Sequence, residues 1–421
     1  MSPTAGRGDP LITGIGALTP LGNSAPETWR GLTTGRSGIG PITRFDAAGL
    51  PVRIAGEVRG FDPVAELGPK RARRTARFSQ LAIAAAREAM RDARLTLSGA
   101  AAERAGVLIH TAIGGLPETE ENVVGMAAHG LREVSPYWVP SMIPNMAACE
   151  VAIDQGLHGP VSASALACAS GTAALLDARR LILTGEADVV VAGGSDAGLT
   201  ETILAGLAKM GPLSERNDEP ELASRPFDAE RDGFVFGEGA VVMVVESAAH
   251  AAARGARSYG TIIGGALTAD AFHMSAPEPS GVHAARAISL ALESAGVRAH
   301  ELDYMCAHGT ATRANDRAET RAVHRALGPA AKRVPISSPK SMTGHLIAAA
   351  GALSVMSCLL AMRDGLLPPT TNLHTPDPEC DLDYVPLTAR PAEVRTAAAN
   401  AFGFGGQNCV VVVRAPEPAA A

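Results

Sequence analysis

Strand-like apolar runs alternate with amphipathic helical patterns along most of the 421-residue chain. The runs ADVVVAGGSDA and NCVVVVR are apolar at consecutive positions, so both faces of each strand would be buried. Such strands occur where helices cover both sides of a sheet. Residues 78–95, FSQLAIAAAREAMRDARL, have the apolar spacing of an amphipathic helix. The alternation therefore predicts an α/β protein with layered sheets.

Composition limits the packing and the partners of such a protein. Hydrophobic residues make up 46% of the chain but aromatic residues only 4%, so Ala, Val, Leu, Ile and Gly must build the core. The net charge of −6 excludes a general nucleic-acid-binding surface. An anionic partner would need a local basic patch. The longest apolar run, residues 346–362, is short for a membrane span and predicts a buried helix instead.

The cysteines and the termini bear on the cellular compartment. The six cysteines show no CxxC pair and no zinc-ligand spacing, so no metal site is predicted. The N-terminus has no apolar signal segment, and reduced thiols in a cytoplasm are the expectation. The first nine residues and the tail from Ala415 are predicted to be disordered.

One pattern occurs twice. Residues 165–183, ALACASGTAALLDARRLIL, form a small-residue turn followed by a helical pattern, and residues 343–362, TGHLIAAAGALSVMSCLLAM, repeat it. The repeat predicts two similar halves, residues 10–255 and 256–414. Their two helix N-termini would then approach one shared site.

Cys168 lies in the first of these turns, after the strand-like VSASALA and next to a helix start. Unpaired N–H groups and the positive end of a helix dipole favour a thiolate, and small neighbours admit a substrate. Cys168 is therefore a candidate nucleophile. The alternative is a buried structural cysteine, because free cysteine is among the most buried residue types.

Three later segments carry polar side chains in glycine-rich, apolar surroundings. His308 follows an apolar strand, Lys340 and His345 precede the second buried helix, and the glycines of NAFGFGGQN, residues 400–408, allow close backbone approach to a ligand. Each has a plain alternative: a structural histidine, a surface lysine or a turn. Together they supply acid–base and cationic groups for a nucleophile.

With these segments the chain resembles β-ketoacyl-[acyl-carrier-protein] synthases of the elongating Cys-His-His type. The resemblance is close to synthase II of fatty acid synthesis and extends to ketosynthases of type II polyketide systems. It runs nearly end to end, through LITGIGALTPLGNS, ACASG, SRPFDAERDGFVFGEGA, AHGTAT, SSPKSMTGH, NLHTPDPECDLDYVP and NAFGFGGQN. It implies the thiolase fold, two duplicated halves stacked as five αβαβα layers, in a dimer.

The resemblance also implies a reaction. Cys168 would take an acyl chain from the phosphopantetheine arm of an acyl carrier protein. Malonyl carrier protein would then lose CO2, and its enolate would attack the acyl group to give a β-ketoacyl carrier protein two carbons longer. His308 and His345 would stabilise the enolate, and no cofactor of the enzyme's own is implied. The backbone N–H groups of Cys168 and Phe404 would form an oxyanion hole.

Supporting residues are implied in the same way. Lys340 would order the site through Asp316 and Glu319. Thr310 and Thr312 would bind the pantetheine arm. Phe404 would act as a gate that admits the acyl chain, and Gly403, Gly405 and Gly406 would give it room to rotate. Thr119, beside Glu118, stands where synthase II has a bulky apolar residue of its acyl pocket, and Gln407 replaces a common threonine.

A basic run, PKRARRTAR, would suit an acidic carrier protein. At helical spacing Lys70, Arg73, Arg74 and Arg77 share a face, although a solvated helix end has the same pattern. The resemblance places docking at Arg73 and Arg74, with Lys209 as a further candidate.

Several alternatives stay open. The chain would form a homodimer or, as the catalytic subunit of a polyketide or polyene system, a heterodimer with a chain-length factor. A thiolase would need a second catalytic cysteine. A cysteine hydrolase would leave Lys340 and one histidine unexplained, and a non-enzymatic scaffold would leave Cys168, His308 and His345 unexplained.

Overall fold

The computed structural model describes residues 8–417, so the predicted disorder of both termini falls largely outside the described residues. Gly8 and Asp9 are described, and Asp9 pairs with Arg179 at 2.6 Å, which corrects the prediction there. The strands are β1 (Leu11–Leu18), β2 (Ile39–Pro41), β3 (Ile54–Gly56), β4 (Ala105–His110), β5 (Val161–Ser162), β6 (Val189–Asp196), β7 (Gly239–Glu246), β8 (Gly260–Ala269), β9 (Tyr304–Cys306), β10 (Ile336–Ser337), β11 (Leu366–Leu367), β12 (Arg390–Pro391), β13 (Thr396–Gly403) and β14 (Gln407–Arg414).

Helices separate most of these strands, as the sequence predicts, and the pattern at residues 78–95 is α4. The helices are α1 (Ala25–Thr33), α2 (Pro63–Leu67), α3 (Pro69–Ala72), α4 (Arg77–Asp92), α5 (Ala100–Glu103), α6 (Leu116–His129), α7 (Trp138–Met142), α8 (Met146–Gln155), α9 (Ser170–Leu183), α10 (Glu201–Met210), α11 (Pro220–Ala223), α12 (Ala248–Ala253), α13 (Val282–Ser294), α14 (Arg313–Leu327), α15 (Lys340–Thr343) and α16 (Ala348–Asp364).

The main sheet repeats one topology. Its strand order is β10-β9-β13-β14-β8-β1-β7-β6-β4-β5. Each half contributes five strands to this sheet. Numbered along the chain within each half, they lie in the order first, fifth, fourth, second, third from the centre of the sheet to its edge. The outer three strands are parallel and the inner two antiparallel in both halves. The duplication is therefore present in the topology, while the division between residues 255 and 256 stays a prediction.

Five layers result from this arrangement. α4 and α8 pack on the outer face of the first half-sheet, and α13 and α14 cover the second. α9 and α16 lie between the two half-sheets in one shared core. The predicted αβαβα layering is confirmed, and residues 346–362 do form a buried helix, α16.

Glycine brings the two central helices into contact at their N-termini. A Cβ atom on Gly171 of α9 would lie 2.4 Å from the carbonyl oxygen of Ala348, and one on Gly351 of α16 would lie 2.2 Å from the Thr172 hydroxyl. Both contacts are far inside van der Waals distance, so only glycine fits.

Over the described residues, no helix is long and apolar enough to cross a membrane.

Candidate active site

The nucleophile turn is tighter than the sequence suggests. Only Val161 and Ser162 of the predicted strand pair as β5, and the chain then runs irregularly to a 3-10 turn over Ala167–Ala169. Ala167 has φ 46°, an uncommon conformation for a residue other than glycine. Cys168 follows it, 8% exposed, and α9 begins two residues later. The predicted position of the cysteine at a helix start is confirmed.

The prediction that Cys168 is a thiolate at rest is wrong. Burial raises the pKa of the Cys168 thiol to about 11, and the opposing effects of Lys340 and of the backbone N–H groups of Phe404 and Cys168 are smaller. The resting thiol is therefore protonated at neutral pH, and a base must take its proton when it attacks. The same two N–H groups are those expected to form the oxyanion hole.

Two histidines lie beside the sulfur. One side-chain ligand atom each from Cys168, His308 and His345 falls within 4.8 Å of the others. The two rings are 5.4 Å apart between centroids and nearly perpendicular, at 80°. The predicted convergence of the two helix starts is thus confirmed, because His345 lies three residues before α16.

The histidines are neutral, and the tautomer of one is fixed. Burial lowers the pKa of both rings well below the usual value, and the charge of Lys340 adds to this. Nδ1 of His345 accepts a hydrogen bond from the N–H of Ile347 at 3.2 Å, so Nε2 carries the proton. Nε2 is buried with no partner among the described residues. It is a free donor at the site.

Lys340 acts on the His308 loop through the backbone. Its ammonium group is buried and donates to the carbonyl oxygen of His308. The carboxylate of Glu319 accepts from the N–H groups of His308 at 2.8 Å and Gly309 at 2.7 Å. Asn400 also donates to Glu319, at 3.1 Å. Lys340 therefore donates to this peptide segment and Glu319 accepts from it, and the two side chains form no direct salt bridge with each other.

Asp316 acts on Lys340 through its charge, as Glu319 does, and its direct contacts are with other groups. It accepts from the N–H groups of Thr310 at 3.1 Å and Phe227 at 2.8 Å, and it lies 3.2 Å from the guanidinium of Arg231. Arg231 is fully buried and also contacts Asp377 at 2.8 Å. Sequence reasoning missed Arg231: its motif was recognised, but nothing local marks an arginine as buried between distant carboxylates.

A cavity of about 900 Å³ opens above these groups. Thr310 and Thr312 line it, with their hydroxyls 3.0 Å apart, and Phe404 lies at its mouth, 39% exposed. The lining of the cavity is otherwise largely apolar and includes Ala112, Ile113, Leu116, Ile203, Leu207, Phe234, Ile347 and Phe402. The cavity can therefore hold a chain with a reactive group at Cys168.

The glycines around Phe404 have separate uses. A Cβ atom on Gly403 would lie 2.8 Å from the carbonyl oxygen of Leu166, so this glycine lets β13 approach the nucleophile turn. Gly405 and Gly406 have φ of 79° and 71° and form the turn between β13 and β14. Gln407 begins β14 and pairs with Gly403.

Comparison with known proteins agrees with this geometry. Residues 11–251 match the model of the β-ketoacyl synthase N-terminal domain, and residues 259–374 match that of the C-terminal domain. The chain belongs to the β-ketoacyl synthase family. It is 45% identical to 3-oxoacyl-[acyl-carrier-protein] synthase 2 of Synechocystis, over 96% of this chain and 97% of that one. The Coxiella burnetii protein of the same name is 44% identical over 96% and 97%.

Solved structures of ketosynthases are also similar. A type II PKS acyl-carrier protein in complex with its ketosynthase bound to the hexaketide gives a TM-score of 0.91, with 33% identity over 98% of this chain and 100% of that one. The ishigamide ketosynthase/chain length factor gives 0.90, with 34% identity over 97% and 100%. These neighbours have the ketosynthase fold of this family.

Two predicted positions lie elsewhere. Thr119 is outside the lining of the large cavity; its hydroxyl donates to the carbonyl oxygen of Gly115 at 3.0 Å and accepts from the Trp138 indole at 3.2 Å. Glu118 accepts from the N–H of Arg77 at 2.9 Å. The role of Thr119 in the acyl pocket stays a prediction, since Thr119 does not line the cavity at Cys168.

The basic run is not one helix. α3 ends at Ala72 and α4 begins at Arg77, so the predicted common face does not exist. The guanidinium of Arg77 is paired with buried Glu238 at 2.7 Å and is not free for docking. The other predicted docking residues are exposed: Lys70, Arg73, Arg74 and Lys209. Arg74 stacks over the Tyr137 ring at 5.1 Å.

The remaining cysteines cannot serve as a second catalytic thiol. Cys306, Cys358 and Cys409 are fully buried, and within residues 8–417 only Cys168 lines the large cavity. The thiolase alternative therefore loses its required group.

Proposed function

We propose that this protein is an elongating β-ketoacyl-[acyl-carrier-protein] synthase. The observation that carries the proposal is the meeting of Cys168, His308 and His345 within 4.8 Å beside a largely apolar cavity, in a chain of this family. Its reaction is the decarboxylative condensation of an acyl group with malonyl carrier protein. A hydrolase needs neither the second histidine nor Lys340, so it accounts for less of the site.

The first half-reaction loads the cysteine. The Cys168 sulfur attacks the acyl thioester, and its proton leaves to the pantetheine thiol that departs. A neutral histidine relays that proton, because the thiol is not ionised at rest. The backbone N–H groups of Cys168 and Phe404 stabilise the oxyanion that forms on the acyl carbonyl. The products are acyl-Cys168 and a free carrier thiol.

The second half-reaction extends the chain. The bond between the malonyl carboxylate carbon and Cα breaks, CO2 leaves, and the electron pair becomes an enolate on the thioester. Nε2–H of His345 donates to the enolate oxygen with His308 beside it. The enolate carbon attacks acyl-Cys168, the carbon–sulfur bond breaks, and the cysteine sulfur takes up a proton. The β-ketoacyl group stays on the carrier.

Neutral histidines suit this step. Lys340 is buried next to both rings, and its charge adds to burial in keeping their pKa values low. A neutral ring with its Nδ1 already engaged can donate only through Nε2. Thr310 and Thr312, whose hydroxyls lie on the cavity wall, bind the amides of the pantetheine arm.

Docking of the carrier protein is proposed at the exposed arginines Arg73 and Arg74, with Lys70 and Lys209 as further candidate contacts. Reversing Arg73 and Arg74 to Glu should raise KM for acyl carrier protein by about tenfold, with a smaller effect at high salt. Acylation by small thioesters is the control reaction. Equal losses on carrier and small thioester would contradict docking at this surface.

A partner subunit is proposed at a second surface of the first half, which adjoins the docking arginines because Arg74 lies over the Tyr137 ring next to α7. α6, α7, α8 and the edge strand β5 expose a contiguous apolar surface, which soluble monomers rarely do. Its members are Val123, Val124, Met126, Leu131, Val139, Ile143, Ile153 and Val161. A second copy of the chain would cover it in a homodimer. The alternative is a chain-length factor, as in the ishigamide ketosynthase/chain length factor.

The fatty acid pathway is the main proposal, because identity to the two synthase 2 proteins is 44–45%, against 33% to the type II PKS ketosynthase and 34% to the ishigamide ketosynthase. The enzyme is proposed to act in the cytoplasm and to need no metal or cofactor of its own. The test is to incubate the purified chain with malonyl carrier protein and acyl carrier proteins of graded chain length, and to identify products by mass spectrometry. A homodimer yielding β-ketoacyl carriers supports the proposal; release of free acid without elongation would contradict it.

A further inference from the structure

The wall of the large cavity contains one permanent cation. Among the described residues that line it, Arg313 is the only arginine or lysine, and its side chain is exposed at the mouth. The charged groups otherwise on the wall are the carboxylates of Asp232, Asp270, Glu278 and Glu319. A cation on a wall with several acids marks one place at which an anionic group can be accepted.

The acids already have partners. Asp270 accepts from the Asn408 amide at 2.7 Å, and Asp232 lies 3.8 Å from Arg216. Arg313, in contrast, makes no ion pair with any carboxylate of residues 8–417. Within the described part of the chain its side chain makes one hydrogen bond, a long one of 3.4 Å from Nε to the carbonyl oxygen of Arg231. Most of its guanidinium donors therefore remain available to a ligand.

Polar groups lie between this cation and the reactive sulfur. Arg313 is the first residue of α14 and directly follows Thr312, whose hydroxyl is 3.0 Å from that of Thr310. At the inner end, Nε2 of His345 is a buried donor without a partner. The cavity thus suits a ligand with an acceptor at its inner end, amides in the middle and an anion at its outer end.

We propose that Arg313 binds the phosphate of the phosphopantetheine arm while the thioester lies at Cys168. The inference rests on the proposed function, since it assumes that substrates arrive on such an arm. A guanidinium can donate two parallel hydrogen bonds to phosphate oxygens, a geometry that an ammonium group cannot match. Arg313 is in this account a binding residue of the arm, separate from the carrier-docking arginines Arg73 and Arg74.

The test compares two small substrates that differ only in the phosphate: butyryl-pantetheine and butyryl-phosphopantetheine. Acylation of Cys168 is followed by intact-protein mass spectrometry, and kcat/KM is obtained for each. The wild-type protein should prefer the phosphorylated thioester by about tenfold, since the contact is charge-assisted but exposed. Arg313→Gln should bring that ratio close to one, and Arg313→Lys should retain part of it.

The matched control is Arg286→Gln, which removes the same charge from an exposed position of α13 outside the cavity. It should keep the wild-type ratio. A wild-type ratio of one, or equal losses on both substrates in Arg313→Gln, would overturn the assignment. These outcomes differ from a failure of the proposed function, in which neither thioester would acylate Cys168 of the wild-type protein.

Discussion

The two central helices, α9 and α16, start in similar ways and end up with opposite tasks. Each follows a residue with positive φ, Ala167 at 46° and Ile347 at 52°, and the two N-termini touch. The start of α16 is occupied: the N–H of Ala348 donates to the buried carboxylate of Asp196 at 3.0 Å. The start of α9 has no side-chain cap, and the N–H of Cys168 stays close to the sulfur.

The difference shows how a duplicated fold becomes one asymmetric site. The positive end of the α9 dipole has no such acceptor and is proposed to stabilise a charge that forms only during reaction, whereas the buried side chain of Asp196 accepts at the corresponding end of α16. In the proposed function the first half supplies the nucleophile, Cys168. The second supplies His308, Lys340 and His345, which are proposed to act on the enolate and the proton.

The largest effect is expected from removing His345, one of the side chains that the second half contributes to the site. His345→Ala should lower malonyl decarboxylation and condensation by about 10²–10⁴-fold, because a general acid–base group or donor is lost. Loading of Cys168 should fall much less. Radiolabelled CO2 release and acyl-enzyme formation measure the two separately. The control is His324→Ala, a half-buried histidine of α14 that pairs with Asp381 outside the cavity, and equal losses in both half-reactions would contradict the division of tasks.

The second prediction concerns the protonation state of the Cys168 thiol, in the first half, before reaction. Since burial raises the pKa of Cys168 to about 11, its thiolate fraction should increase with pH throughout the neutral range. Alkylation of Cys168 by iodoacetamide should therefore accelerate by about tenfold per pH unit between roughly pH 7 and 9. Peptide mapping distinguishes it from half-exposed Cys149. A rate that levels off below pH 8 would mean that the helix start ionises the thiol after all.

The smallest effect is expected at Asp196, which accepts from three backbone N–H groups: Ala112 and Ile113 at 3.0 Å, and Ala348. In Asp196→Asn an amide N–H₂ would face one of these donors. The free energy of unfolding should fall by about 1–3 kcal/mol, as measured by urea denaturation. Asp177→Asn, which removes a partly exposed ion pair with Arg180, serves as the control. An unchanged unfolding energy would show that the α16 cap adds no stability.

Much of the fold and site follows from the sequence, for reasons visible in particular residues. Strands apolar on both faces, such as β6, can only lie between helices, and the repeat around Cys168 and His345 marks the two central helices. What escaped prediction depends on long-range burial. The raised pKa of Cys168 comes from layers packed around it, and the interior role of Arg77 comes from Glu238, 161 positions away.

The basic run shows a local limit of such reasoning. Helical spacing alone placed four basic residues on one face, but the chain leaves the helix between Ala72 and Arg77. Asp316 and Glu319 were assigned to Lys340 by resemblance. Their charges do act on Lys340, while their hydrogen bonds and ion pairs go to the backbone of the His308 loop and to Arg231. The roles of these residues stay a prediction.

The central claim is that one half forms the covalent bond and the other handles the enolate. The most direct measurement is malonyl decarboxylation and acyl transfer by Cys168→Ala, side by side. The account predicts that acyl transfer and elongation are abolished while CO2 release from malonyl carrier protein persists, because His308, His345 and Lys340 remain in place. Elongation of an acyl primer by Cys168→Ala, or loss of decarboxylation together with acyl transfer in a folded protein, would contradict it.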